Sequence, residues 1–222
     1  LLKPIIALLA YHFFSIVMTT SNHRPYTYPS GKIDIPSGTG RMGAVRYTDY
    51  AIGQFIKNAQ SKPWFKNTIF VIIADHCANS SGRQVLEVEE HRIPLILYAP
   101  EILTPAVISK VASQIDLAPT LLDLLNWSYE SQFLGKSIYQ TLEEDERAFI
   151  ANYQKLGYLK KDKLLILEPK KKINFYQVDF QINFKDYNLT EIEPLPELLL
   201  EGLSFYQGTS SLYKKFIKNK TK

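Results

Sequence analysis

Three observations predict an α/β fold: an apolar run that ends on a charged pair, helical spacing of apolar residues on both sides of it, and the order of these segments. The run is Phe70-Val-Ile-Ile-Ala-Asp-His-Cys-Ala78. Its length and β-branched content suit a buried parallel strand that delivers Asp75 and His76 to a sheet edge. A carboxylate oxygen and an imidazole nitrogen there suit a divalent ion such as Zn, Mn or Fe. A strand ending in a polar turn would look the same in isolation.

The elements follow in order. Leu1-Leu-Lys-Pro-Ile-Ile-Ala-Leu-Leu-Ala-Tyr11 is apolar enough to suggest a signal peptide or a membrane span. Lys3-Pro4 interrupts it, however, and it has neither a basic leading region nor a clear small-residue cleavage site. Phe13-Phe-Ser-Ile-Val-Met-Thr-Thr20 is strand-like and runs into Ser21-Asn22-His23-Arg24-Pro25-Tyr26. If that strand is parallel to the Phe70 run, His23 and Arg24 approach the Asp75-His76 edge. An arginine fork and an imidazole beside a metal suit an anionic substrate. As a plain turn, the same residues would simply be solvated.

Residues 41–61 place Val45, Thr48, Ile52, Phe55, Ile56 and Ala59 on one helical face, and Pro63 stops that helix. Ile93-Pro-Leu-Ile-Leu-Tyr-Ala99 is a second short apolar run, closed by Pro100. Ser113-Gln-Ile-Asp-Leu-Ala-Pro-Thr-Leu-Leu-Asp-Leu-Leu125 predicts an amphipathic helix with an early proline, where the missing N–H costs little. Ligands of such sheets gather beyond the strand carboxyl ends, where Asp75 and His76 fall.

From Glu143 the character changes. Arg147–Tyr153, Lys163–Glu168 and Ile173–Val178 predict short strands of a small antiparallel sheet. Tyr153–Tyr158 suits a hairpin or the mouth of a site. Pro194-Leu-Pro196 precedes a helix over Glu197–Tyr206 with an apolar face toward that sheet. The expected division is 1–142 for the α/β part and 143–222 for the sheet plus helix.

Composition agrees with a globular piece: 222 residues at 45% hydrophobic content can bury a core. A formal charge of +4 is too mild to argue for nucleic acid. The positive excess sits at Lys160-Lys161, Lys170–Lys172 and Lys214–Lys222. Such patches could face anionic lipid in a tethered protein, and solvated surface is the plainer explanation. The single cysteine, Cys77, leaves no internal disulfide and is expected to serve as a small packing residue, with a redox or metal role as the alternative.

Several strings taken together carry a resemblance: Thr19-Thr-Ser-Asn-His-Arg-Pro-Tyr-Thr-Tyr-Pro29, Tyr47-Thr-Asp-Tyr-Ala51, Phe65–His76, His91-Arg-Ile-Pro-Leu-Ile-Leu-Tyr-Ala-Pro100 and Ser113–Thr120. Over about residues 13–126 the chain resembles the sulfatase-type domain of the lipoteichoic acid synthase family. These are membrane-anchored phosphoglycerol transferases within the alkaline phosphatase superfamily. The resemblance implies an alkaline phosphatase-like sandwich, here partial, with a small carboxyl-terminal antiparallel sheet and a terminal helix. In that family one divalent metal, manganese first and magnesium or zinc as alternatives, is held by an acidic residue, a threonine and an Asp-His pair. The threonine also attacks the phosphorus of a lipid head group. By resemblance Asp75 and His76 are the Asp-His metal pair, and His23 contacts the substrate's phosphoglycerol group. Arg24 and His91 are further substrate-side candidates, His91 also being open to a purely backbone-bonded role.

The departures are as informative. The family's acidic ligand and nucleophilic threonine precede the stretch corresponding to Phe13, and Thr19 and Thr20 do not occupy the nucleophile's position. The expected function is therefore the carboxyl-terminal half of a phospho-head-group transferase, inactive alone, acting on an anionic lipid such as phosphatidylglycerol. Its expected place is the cell membrane, facing the periplasm or outside, through helices upstream of this chain. A sulfatase-type ester hydrolase and a non-catalytic binding module or remnant are the alternatives.

Overall fold

A computed structural model describes residues 12–78, 86, 88–180 and 189–220, so the opening Leu1–Tyr11 run lies outside the described residues. The chain divides into two compact units: the residues up to Ile69 with Ala99–Leu103, and Phe70–Tyr98 with Thr104 onward.

In the first unit, helix α1 spans Arg41–Ala59, with Lys57 in its last turn beside the free carbonyls. It stops short of Pro63, as the sequence predicts. Its buried positions are Gly43, Ala44 and Ala59, whereas Val45 and Phe55 are exposed. The covered face is thus rotated away from the largest side chains. Tyr28 explains part of this, because its ring stacks on Tyr47 with centroids 5.0 Å apart. Its hydroxyl donates to the carbonyls of Ile35 and Pro36, each at 3.1 Å. Residue 43 is glycine because a Cβ there would overlap that hydroxyl.

The Phe13–Thr20 segment corrects an expectation. Its strand-like composition is not matched by a ladder among the described residues, and Phe14, Ile16, Val17 and Met18 are exposed. A strand is a property of a pair of segments; β-branched residues alone do not supply the partner's N–H and C=O groups.

The second unit opens with β1, Phe70–Ile73, paired with β2, Leu95–Tyr98. The expectation of a buried parallel strand is overturned here. The two strands are antiparallel, with Phe70 opposite Tyr98 and Ile73 opposite Leu95, and all four β1 residues are only partly buried. A continuous apolar run reports that both faces are covered to some degree; it carries no information on the direction of the neighbour. Gln114–Asp116 form a 3₁₀ turn that leads into α2, Leu117–Leu124.

The five-stranded sheet is an antiparallel meander of β3 (Arg147–Asn152), β4 (Lys155–Lys160), β5 (Lys163–Glu168), β6 (Lys172–Val178) and β7 (Leu189–Glu191). Its central strand is apolar on both sides. Leu164 and Ile166 join Leu86, Val88, Ile150, Leu159 and Val178 in one core cluster, whereas Leu165 joins Tyr158, Phe175 and Leu198 in the other. Side chains alternate across the pleat, so both clusters follow from one run, Leu164-Leu-Ile-Leu167. Helix α3, Pro196–Lys220, lies against the second cluster through Leu198, Leu199, Phe205 and Tyr206. Gly202 allows the close approach, because a Cβ there would press into the Leu165 side chain. The helix runs on to Lys220 where the sequence predicts an end at Tyr206; the Gln207–Ser211 stretch has weak helix propensity that the longer helix overrides.

Candidate metal centre

Asp75 and His76 follow β1 after Ala74, and the backbone turns there so that their side chains approach. The His76 amide donates to Asp75 Oδ1 at 2.9 Å, which leaves Oδ2 as the outward oxygen. His76 Nδ1 lies 2.8 Å from the Cys77 carbonyl; only a protonated Nδ1 can bond to a carbonyl, so the neutral ring presents its lone pair at Nε2. Nε2 stands 3.6 Å from Asp75 Oδ2. Two ligands of one cation at bond lengths of about 2.0–2.2 Å in tetrahedral geometry lie roughly 3.4 Å apart, so this pair fits a shared ion with little movement. The side chains are 69% exposed for His76 and 82% for Asp75, and an ion can reach them. The carbonyl bond that fixes the imidazole is the usual outer support of a metal-bound histidine.

Gln114 steadies the same turn from the far side of the sequence. Its amide donates to the carbonyls of Ala74 at 3.2 Å and Asp75 at 2.9 Å. Sequence reasoning assigned it no role. Its only signal was its place beside Ser113 in a string shared with the lipoteichoic acid synthases. Cys77 donates its thiol hydrogen to the Arg92 carbonyl at 2.8 Å. Burial pushes that thiol's pKa up, and the carboxylates of Glu90 and Glu89 push it further. A protonated thiol satisfied by a carbonyl suits a packing role.

His91 ends a 3₁₀ turn, Glu89–His91, and its Nε2 bonds the Ala151 carbonyl on β3 at 3.1 Å. His23 and Arg24 belong to the other unit. There the His23 amide donates to the Thr20 carbonyl at 3.0 Å and the Tyr26 amide donates to the His23 carbonyl at 2.8 Å, which closes a tight turn containing a cis Arg24-Pro25 bond. His23 Nδ1 bonds the Arg24 carbonyl at 3.0 Å. Arg41 donates to the Tyr26 hydroxyl at 3.1 Å, and Arg41 followed by Arg24 lowers the pKa of that phenol. Among the described residues no group of three or more His, Cys, Asp and Glu converges, so Asp75 and His76 stand as a two-ligand set.

Behind the turn sits a buried polar knot that the sequence did not announce. Asp116 and Arg147 are 1% and 3% exposed. Arg147 donates two parallel bonds to Asp116, of 2.9 and 2.8 Å, and Asp116 also accepts from the backbone amides of Ser113 and Lys136. Ser113 in turn accepts from the Phe149 amide at 2.8 Å. The knot ties the 3₁₀ turn before α2, which carries Gln114, to strand β3, which carries the His91 acceptor.

Comparisons with known proteins bear on the family and the fold. A profile of the Sulfatase family matches residues 2–127. The chain belongs to the Sulfatase family. It is 29% identical to phosphoglycerol transferase I of Xanthomonas axonopodis pv. citri over 119 residues, which cover 53% of this chain and 17% of that protein. It is 27% identical to lipoteichoic acid synthase 2 of Bacillus subtilis over 164 residues, which cover 64% of this chain and 25% of the relative. The solved structure of an alkaline phosphatase superfamily protein from Vibrio parahaemolyticus matches with a TM-score of 0.75 and 31% identity, over 86% of this chain and 48% of that one. The chain therefore spans a quarter or less of these curated relatives and about half of the solved structure. The fold class expected from sequence, alkaline phosphatase-like with a small antiparallel sheet and a terminal helix, stands. Among the described residues, no helix is long and apolar enough to cross a membrane.

Proposed function

We propose that this chain carries the Asp-His half of a divalent-metal site in a transferase that moves a phosphoglycerol head group from an anionic membrane lipid. The observation that carries this is the convergence of His76 Nε2 and Asp75 Oδ2, 3.6 Å apart, with Nδ1 held by a backbone carbonyl. Manganese is the ion we assign first, since a mixed oxygen and nitrogen donor set accepts it readily. A divalent cation there would supply charge to offset phosphoryl oxygens and to activate a hydroxyl. Asp75 and His76 would hold the ion, Gln114 holds their backbone, and the exposure of the pair leaves room for a substrate's phosphate. His23 and Arg24 are the substrate-side residues in this proposal, and His91 is a weaker candidate because its Nε2 already bonds Ala151.

Two relatives named for phosphoglycerol or lipoteichoic acid chemistry favour a phosphate ester over a sulfate ester as substrate. The proposed setting is the outer face of the cell membrane, with phosphatidylglycerol as the donor lipid. The test is a manganese titration of the full chain followed by electron paramagnetic resonance. One saturable site is expected, and Asp75→Ala and His76→Ala should each weaken it by at least about tenfold. Unchanged affinity in both variants would remove the assignment.

A further inference from the structure

Two guanidiniums meet at one neutral oxygen in the first unit. Arg41 Nη2 donates to the Tyr26 hydroxyl at 3.1 Å, and its Cζ lies 5.7 Å from the centre of the Tyr26 ring. Arg24 also bonds that hydroxyl. Both arginines are exposed, and among the described residues neither forms an ion pair with a carboxylate. Arg41 opens α1, whose first turn holds no acidic residue. Like charges brought to one oxygen repel, and a neutral phenol does not cancel them. The backbone fixes the meeting point. Tyr26 has a φ of 64°, a left-handed conformation that is strained for a bulky side chain. Its amide donates to the His23 carbonyl at 2.8 Å and its carbonyl accepts from the Gly38 amide at 3.2 Å.

We propose that Arg24 and Arg41, with the Tyr26 hydroxyl between them, form a clamp for the phosphoryl group of a phosphate ester. A guanidinium carries five N–H donors in a planar fork, and the phenol occupies only part of each. The donors left over suit phosphate oxygens, which a fork can hold in pairs. A phosphate with two negative charges cancels both guanidiniums, whereas a carboxylate cancels one and a neutral ligand neither. The Tyr26 hydroxyl can accept from the arginines and donate its own hydrogen to a phosphate oxygen. The two arginines also lower the Tyr26 pKa, Arg41 ahead of Arg24. A bound phosphate offsets their charge and must raise it again, so this phenol reports occupancy. The clamp rests on the substrate-side assignment of Arg24 in the proposed function, to which it adds Arg41 and Tyr26. It does not rest on the Asp75-His76 metal pair.

The experiment is calorimetric titration of the full chain with inorganic phosphate in excess chelator, so that no metal contributes. One site is expected, and glycerol phosphate should displace the free ion from it. Arg24→Gln and Arg41→Gln should each weaken binding by about tenfold or more, the worth of charge-assisted hydrogen bonds. Arg41→Lys keeps the charge, loses the fork and should weaken it severalfold. Arg46→Gln removes an exposed cation elsewhere on α1 and should leave affinity as in the parent. Thermal melts overlaying the parent would show that the variants keep their fold. Tyr26 ionisation is read as the alkaline absorbance difference between the parent and Tyr26→Phe, and added phosphate should move it to higher pH. The clamp is overturned by parental affinity in Arg41→Gln, by equal losses in Arg41→Gln and Arg46→Gln, by an unmoved Tyr26 titration, or by phosphate that glycerol phosphate fails to displace. The manganese titration reads Asp75 and His76 alone, so the metal assignment and the clamp fall separately.

Discussion

A carboxylate and an imidazole that are neighbours in sequence can share a cation only when their donor atoms approach, and the turn after β1 sets His76 Nε2 and Asp75 Oδ2 3.6 Å apart. Two backbone bonds do the work: the His76 amide occupies Oδ1, and the Cys77 carbonyl occupies Nδ1. Gln114 holds the turn without touching the ion site. We therefore expect Gln114→Ala to keep the melting curve of the parent while weakening manganese binding severalfold, read in the same titration; unaltered affinity would show that the turn holds itself. Arg147 acts at the same scale on stability. Its removal leaves Asp116 buried with two amide donors and no counter-charge, and its guanidinium also lies 5.4 Å from the Phe149 ring. Arg147→Met is expected to cost about 3–5 kcal/mol in urea unfolding, as for other broken buried pairs. A loss below about 1 kcal/mol would mean that water reaches Asp116.

Among the elements, the junction of α3 with the sheet has a built-in pH dependence. The Tyr206 hydroxyl donates to the Gly157 carbonyl at 2.7 Å, and burial pushes its pKa up to about 12 from an ordinary 10.0. Tyr158 shifts the same way, through burial and then the Glu201 carboxylate that accepts its hydroxyl. A phenol whose folded pKa is raised holds its proton where the unfolded chain has released it. The stabilisation is complete below pH 10 and is lost as pH rises toward 12. Helicity and sheet signal should thus fall together in that window. Tyr206→Phe should flatten the decline while lowering stability at neutral pH by about 1 kcal/mol, the usual worth of one hydrogen bond. An alkaline transition identical in parent and variant would assign it elsewhere.

On the scale of the whole molecule, membership of the Sulfatase family and the proposed Asp75-His76 metal pair together set what an activity assay of the chain should read. The proposed metal pair is Asp75 and His76, and the resemblance to the lipoteichoic acid synthases assigns the nucleophile to neither Thr19 nor Thr20. We expect the isolated chain to bind manganese and yet release no head group from phosphatidylglycerol, and no chromophore from a phosphodiester, above the level of Asp75→Ala. Turnover that depends on Asp75 would show that a nucleophile lies within these residues. The exposed Phe14, Ile16, Val17 and Met18 of the first unit are apolar surface that a solitary chain leaves to water, where it promotes association.

What could be read from the residues alone was whatever depends on local chemistry. The Asp75-His76 pair, the helix over α1, the hairpins of the small sheet and the family likeness all lie in short strings whose meaning is set by neighbours in sequence. Lys163–Glu168 reads as a strand from its own residues, and the two clusters packed on opposite sides of its pleat decide that both faces are buried. Whatever depends on a distant partner was decided only by tertiary structure. β1 runs antiparallel because Leu95–Tyr98 meets it in that sense, and the Phe13–Thr20 segment remains outside any described ladder although its residues favour one. The Asp116-Arg147 pair joins positions 31 residues apart, and Gln114 reaches Asp75 across 39. Hydrogen bonds and ion pairs are contacts between two groups, and a sequence states each group without stating which one it will meet.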